Sequence, residues 1–300
     1  MIAVKTYKRN AEIMPGQQLP PGIFRIALGV EYVGTRYSGW QKMPPCTATG
    51  KAMRTVQGEL EQALSKIAAA SVLLTCAGRT DAGVHATGQV VHFDTAAERP
   101  EKAWVLGGNA HLPASIRIQW ARPVAPQFHA RFSARMRTYR YLIANTPAQP
   151  AITNGQCLWA REPLDIQTMQ QAAQFCIGEH DFSSVRGSHC QAKNPVRTLH
   201  RFSVTNNNGW IVIEICGNAF LQHMVRNLMG LLLPVGRGER PPTWVRDVLA
   251  ARDRKQAGKT EYAGALYLVR VEYGEEHRLP IRAKGPFMLA DEIDAQCAGD

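Results

Sequence analysis

Hydrophobic and polar positions alternate from Ile26 through Leu28, Val30 and Tyr32, a period of two that predicts a half-buried strand. The period then changes. Val56, Leu60, Ala63, Leu64 and Ile67 fall on one helical stripe behind Thr55, a residue suited to capping a helix N-terminus. Residues 72–77 and 89–94 read as two further strands, 101–110 as a short helix and 116–123 as a strand. The order of this half is β-α-β-β-α-β.

The second half repeats that order. Residues 138–145 read as a strand, and Met169, Ala172, Ala173, Cys176 and Ile177 mark a helix that stops at Gly178. Strands over 199–205 and 210–216 flank Asn206-Asn207-Asn208-Gly209, a strong turn signal. Leu221, Met224, Val225, Leu228, Met229 and Leu232 form the stripe of one helix, and Trp244, Val245, Val248 and Leu249 that of the next. A strand over 265–273 closes the pattern. Two such units imply an α+β protein of two ferredoxin-like halves, their antiparallel sheets joined around a central cleft. The expected layout is a flexible leader over 1–22, a first α+β domain over 23–130, a second over 131–290 and a tail over 291–300.

Composition narrows the partners. Thirty-five Lys plus Arg against 24 Asp plus Glu leave a net charge of +11, which favours a polyanion and puts nucleic acid first. Between Arg122 and Tyr141, the arginines 131, 135, 137 and 140 interleave with Phe128, Phe132 and Tyr139. That mixture of phosphate-binding and base-stacking groups is the one RNA binding uses. Seven cysteines, an odd number with no Cys-x-x-Cys pair, suggest a reducing compartment and hence the cytoplasm. The apolar run over 228–235 is broken by Gly230 and Pro234 and is far short of the roughly 20 residues of a membrane span. The first ten residues lack the apolar core of a signal peptide.

The densest candidate chemistry lies between two predicted strands, in Gly78-Arg79-Thr80-Asp81-Ala82-Gly83-Val84-His85. Glycines allow close approach of a ligand, and Asp81 reads either as a reactive carboxylate or as a residue capping its own turn. Cys76 ends an apolar strand and reads as inert packing. His85, His92 and His223 lack zinc-site spacing and read as turn or core residues, so no metal is expected. The string Gly34 to Gly39 continues with Trp40 and not with the lysine of a P-loop, so no nucleotide cofactor is implied.

The loop, with the Gly88-Gln89-Val90 strand after it, resembles the central motif of the tRNA pseudouridine synthase A family. Further landmarks agree in order: Gly39-Trp40-Gln41, Asn109-Ala110-His111-Leu112-Pro113, Phe128-His129-Ala130-Arg131-Phe132-Ser133-Ala134, Tyr139-Arg140-Tyr141 and Phe220-Leu221-Gln222-His223-Met224-Val225-Arg226-Asn227. The resemblance spans roughly residues 24 to 290. It implies isomerisation of uridines 38, 39 and 40 in the tRNA anticodon stem-loop, by a homodimer without a cofactor. By position it makes Asp81 the nucleophile, Tyr139 the base-stacking ring, Arg226 the partner of the aspartate and Arg79 an aid in extruding the target nucleotide. Arg131 and Arg135 become RNA contacts. The alternatives are an RNA-binding module without chemistry, such as a chaperone, and a uridine glycosidase with Glu31, Asp94 or Glu214 as second carboxylate. The sequence departs from the family at Val33, in the long loop over 43–54, and at Ala265 where a glycine is usual.

Overall fold

In the computed structural model, which describes residues 19–43, 53–207, 209–281 and 285–286, the first alternating segment forms β1 (Phe24–Tyr32). Helix α1 (Val56–Ala68) follows, its first turn capped by Thr55, whose hydroxyl accepts from the Gly58 amide at 3.3 Å. The chain continues through β2 (Thr75–Cys76), β3 (His85–Thr95), α2 (Gly108–His111) and β4 (Ile116–Val124). Then come β5 (Met136–Asn145), β6 (Leu158–Ala160), α3 (Ile166–Gln174), β7 (Gly178–Asp181), β8 (Val196–Asn207) and β9 (Trp210–Gly217). Helices α4 (Met224–Gly236) and α5 (Thr243–Ala251) precede the last strand, β10 (Leu266–Glu272). The leader over 1–18, the tail over 291–300 and most of the long loop, 44–52, lie outside the described residues, as does Asn208 in the turn after β8.

Ten strands form one sheet in the order β4-β1-β3-β10-β5-β9-β8-β7, with β2 also on β3 and β6 also on β5. The pairings are antiparallel except β3 with β10 and β5 with β6. The result is an α+β architecture on one large, mostly antiparallel sheet. Because strand side chains alternate between faces, Ile26, Leu28 and Val30 join the helices in the main core. Ala27 faces the other way, into a smaller cluster with Ala77, Val90, Phe128 and Ala130. Tyr139 and Tyr141 likewise share the helix face, while Arg140 points away from it to Glu214 at 2.9 Å.

Several elements differ from the sequence pattern for identifiable reasons. Residues 72–77 read as a strand, yet only Thr75 and Cys76 pair with β3. The backbone just before them is taken by side chains of α1: Ser65 accepts from the Val72 amide, Glu61 accepts from the Leu74 amide, and Gln57 donates to the Leu74 carbonyl. The predicted helix over 101–110 widens to a π-helix at Ala103–Gly107. There Gly107 and Gly108 close onto Ile67 and Ile118, leaving no room for a Cβ. Strands β6 and β7 carry too few residues to show a period, and β7 starts at Gly178 with φ 98°, directly after the helix exit.

The two halves of the chain meet where β3 runs parallel to β10, a short contact pairing His85 with Tyr267 and Ala86 with Leu268. Gly88 permits it, since a Cβ there would overlap the Val269 carbonyl. Gly88→Ala is expected to lower stability by about 1–3 kcal/mol, the usual cost of overpacking. A urea midpoint unchanged from wild type would show that the seam can open without penalty.

Candidate active site

The loop from β2 to β3 starts beside the sheet and is tied down along its length. Gln89 on β3 spans the Gly78 peptide, donating to its carbonyl at 2.7 Å and accepting from its amide at 3.4 Å. The Thr80 hydroxyl meets the Tyr32 hydroxyl at 2.7 Å, and the Thr80 carbonyl accepts from the Trp40 amide at 3.0 Å. Gly39, at φ 92°, makes the second contact possible: a Cβ there would sit 2.8 Å from the Thr80 oxygen. The Asp81 backbone carbonyl accepts from the Val84 amide, and Gly83 turns the chain at φ 83°.

The Asp81 carboxylate takes no part in that turn. It reaches across to α4, where Arg226 Nη1 lies 3.6 Å from Oδ2 and His223 Nε2 lies 3.6 Å from the same oxygen. Neither carboxylate oxygen accepts a hydrogen bond among the described residues, the two nearest nitrogens both lying at 3.6 Å. This orientation decides against Asp81 as a residue capping its own turn. Arg226 is only 16 % exposed at its side chain and is aimed by a second bond, from Nε to the Glu261 carbonyl at 2.7 Å.

Tyr139 lies close by, its hydroxyl 3.5 Å from where a Cβ on Gly78 would be, and its ring edge-on to Phe220 with centroids 4.9 Å apart. Burial raises its phenol pKa well above the ordinary value; Arg137 opposes that shift and the charge of Asp81 adds to it. Tyr139 is therefore a neutral phenol. Cys76, equally buried, has its thiol pushed up to about 12 by loss of solvent, which fits inert packing.

Arg137 was not among the residues the sequence singled out, although it lies two positions before Tyr139 and so on the same strand face. Its guanidinium donates to four backbone carbonyls: Ala77 at 3.1 Å, Arg131 at 2.6 Å, Ala134 at 3.1 Å and Asn218 at 2.8 Å. These belong to the start of the Asp81 loop, to the basic segment before β5, and to the connection from β9 to α4.

Of the expected RNA contacts, Arg79 is exposed and forms no ion pair among the described residues. Arg131 is exposed and lies over the Phe132 ring, 5.4 Å from its centroid. Arg135 is exposed too and faces Glu276 at 3.6 Å, so it is not drawn toward Asp81. His85 and His92 are buried core residues: His85 accepts from the Gly34 amide and stacks on Tyr267, and burial lowers the His92 pKa to about 3. Asp94 is bound by Arg25, Glu214 by Arg140 and Arg201, and Glu31 by Gln119, so none of the three serves as a second carboxylate beside Asp81. A groove of about 400 Å³ involving Trp120, Val269, Val271 and Leu279 includes none of the predicted site residues.

A loop carboxylate from one part of an α+β chain, faced by an arginine and a histidine from another, marks the candidate reactive centre. A profile of the tRNA pseudouridine synthase family matches residues 29–133 and 172–274. The chain is 54% identical over 269 residues to a protein named tRNA pseudouridine synthase A from Pseudomonas aeruginosa, covering 90% of this chain and 92% of that one. It is 49% identical over 271 residues to the protein of that name from Alcanivorax borkumensis, covering 90% and 99%. For the one from Nitrosococcus oceani the figures are 54% over 256 residues, 85% and 96%. The chain belongs to the tRNA pseudouridine synthase family.

Because Lys presents three donors on one nitrogen and no planar fork, Arg137→Lys keeps the charge but loses some of the four carbonyls. We expect a stability loss of about 1.5–3 kcal/mol, the value of one charge-assisted hydrogen bond, together with a lower turnover rate. Thermal melting and single-turnover kinetics check both, and a variant that matches wild type in each would remove Arg137 as the tie between these segments.

Proposed function

We propose that the protein isomerises uridine to pseudouridine in tRNA, with Asp81 as the reacting carboxylate. The observation that carries this reading is the placement of the Asp81 carboxylate, whose Oδ2 faces Arg226 and His223, on the loop whose first residue, Gly78, the Tyr139 hydroxyl approaches. In the reaction the N1–C1′ bond of the nucleotide breaks, the uracil rotates, and a C5–C1′ bond forms. The C5 proton is lost and N1 gains one, so the product is an isomer and no cofactor is consumed. Asp81 either attacks the sugar at C1′ or removes a proton from the ribose, and then assists the return of the base. Arg226, 3.6 Å away, aims the carboxylate. Tyr139 offers a flat face to the detached ring.

The family suggests uridines 38, 39 and 40 of the anticodon stem-loop as targets, and a cytoplasmic homodimer as the working form. The net charge of +11 and the exposed Arg79 and Arg131 support a surface for RNA phosphates, with Arg135 as a further contact. Arg79, two residues before Asp81, is suited to helping the target base leave its stack.

The strand order supports two ferredoxin-like halves, over 23–130 and 131–290. In the first, β4-β1-β3 with β2 on β3 follows the order expected of one β-α-β-β-α-β unit; in the second, β10-β5-β9-β8 repeats it. The unit assignment also accounts for the position of Asp81 at the junction of the halves. An RNA chaperone would have no use for a half-paired carboxylate beside the basic loops, which favours the enzymatic reading over that alternative.

Asp81→Asn is expected to abolish pseudouridine formation in unmodified tRNA transcript while tRNA binding persists, since the amide keeps the shape and loses the anion. Mapping carbodiimide-resistant uridines gives the readout, and turnover above background would take Asp81 out of its role. Resistant uridines outside the anticodon arm would overturn the proposed target positions. Tyr139→Phe is expected to bind tRNA nearly normally and turn over more slowly, whereas Tyr139→Ala loses stacking worth about 1–3 kcal/mol and is impaired in both. If both variants behaved as wild type, Tyr139 would be a core residue only.

A further inference from the structure

His223 immediately precedes α4 and sits in the left-handed region, at φ 62° and ψ 0°. Residues other than glycine rarely adopt that conformation, which costs on the order of 1–3 kcal/mol and persists where the surroundings enforce it. Helix capping does not account for it, because the His223 side chain makes no capping hydrogen bond. The surroundings instead hold the imidazole. The Gly187 amide donates to the Gln222 carbonyl at 2.8 Å, and a Cβ on Gly187 would come within 3.1 Å of His223 Nδ1. Glycine at 187 therefore keeps the space that the ring fills. The other ring nitrogen, Nε2, is 3.6 Å from Asp81 Oδ2, the oxygen that Arg226 also faces.

We propose that His223 is a second positioning residue for Asp81, which together with Arg226 orients the carboxylate toward the ribose. The left-handed turn is the device that aims it. In a helical conformation residue 223 would extend α4 by one position, and its side chain would leave the carboxylate along the helix surface. Two nitrogens from different residues facing one oxygen restrain the carboxylate's terminal torsion, broad and soft when unrestrained, more than the arginine alone would.

This inference rests on the reading of Asp81 as the reacting carboxylate, and the test separates the two. His223→Gly suits the site, because glycine takes a positive φ without strain and the variant has a backbone reason to fold at least as well as wild type. Removing the ring also leaves a space of its own shape against Gly187 that imidazole from solution can occupy. The expected result is a single-turnover rate lowered on the order of 10²-fold, the effect of a misplacement of about 1 Å. The tRNA dissociation constant should be unchanged, and added imidazole should restore part of the rate. A wild-type rate, a loss that imidazole does not relieve in a protein with a normal melting temperature, or a parallel loss of tRNA affinity would each overturn the proposal. Asp81→Asn, assayed alongside, is expected to stay inactive with and without imidazole. If it turned over, the reading of Asp81 itself would fall. If it were inactive while His223→Gly ran at the wild-type rate, only the role of His223 would.

Discussion

The buried guanidinium of Arg137 is the constraint on which the rest of the site depends. It is 8 % exposed and has no carboxylate partner among the described residues, so its charge is solvated by carbonyl dipoles alone. An isolated buried cation is costly, and the cost is offset only while all four carbonyls stay in place. Those carbonyls belong to three segments distant in sequence, which carry Asp81, the exposed Arg131, and the helix of His223 and Arg226. Moving any one segment would leave part of the cation unsatisfied. The electrostatic demand of one side chain is thereby turned into a geometric requirement on three loops.

The sheet supplies the frame within which that requirement can be met. Strand β3 shares one edge between β10, near its start, and β2, near its end, so the loop between β2 and β3 emerges beside the seam of the two halves. Helix α4 approaches from the other half on the same face, as the joint burial of Tyr139, Val225 and Leu221 in the main core shows. Asp81 and the two residues that face it thus come from opposite sides of the β3–β10 pairing.

Much of this was legible in the sequence, and the limits have physical causes. Period two marked β1, whereas β5 and β9, also read as strands, are buried along nearly their whole length. The stripes of α1, α4 and α5 were equally clear. The strand reading overextended β2, since a run of strand-forming residues does not tell whether backbone groups find a strand or the side chains of α1. Asp81, Tyr139 and Arg226 were found through the motif they share with a known family. Arg137 was passed over as one basic residue in a basic stretch, and only its position on the Tyr139 face of β5 could have set it apart. His223 read as an ordinary turn residue, because a left-handed φ leaves no mark on a histidine in sequence.

Two aspartate–arginine pairs of the protein contrast a carboxylate tied up in hydrogen bonds with one that is not. Asp94 meets Arg25 through both oxygens, at 2.7 and 2.8 Å, and Arg25 spends its remaining donors on the carbonyls of Pro126 and Phe128. Such a bidentate pair uses up the carboxylate, and its yield is a fixed register between β1 and β3. The nitrogens of Arg226 and His223 that face Asp81 each lie 3.6 Å from Oδ2, beyond hydrogen-bond contact. That carboxylate is flanked without being tied up. The proposed reaction makes use of this condition, since forming a bond to the sugar would not first require breaking a hydrogen bond elsewhere.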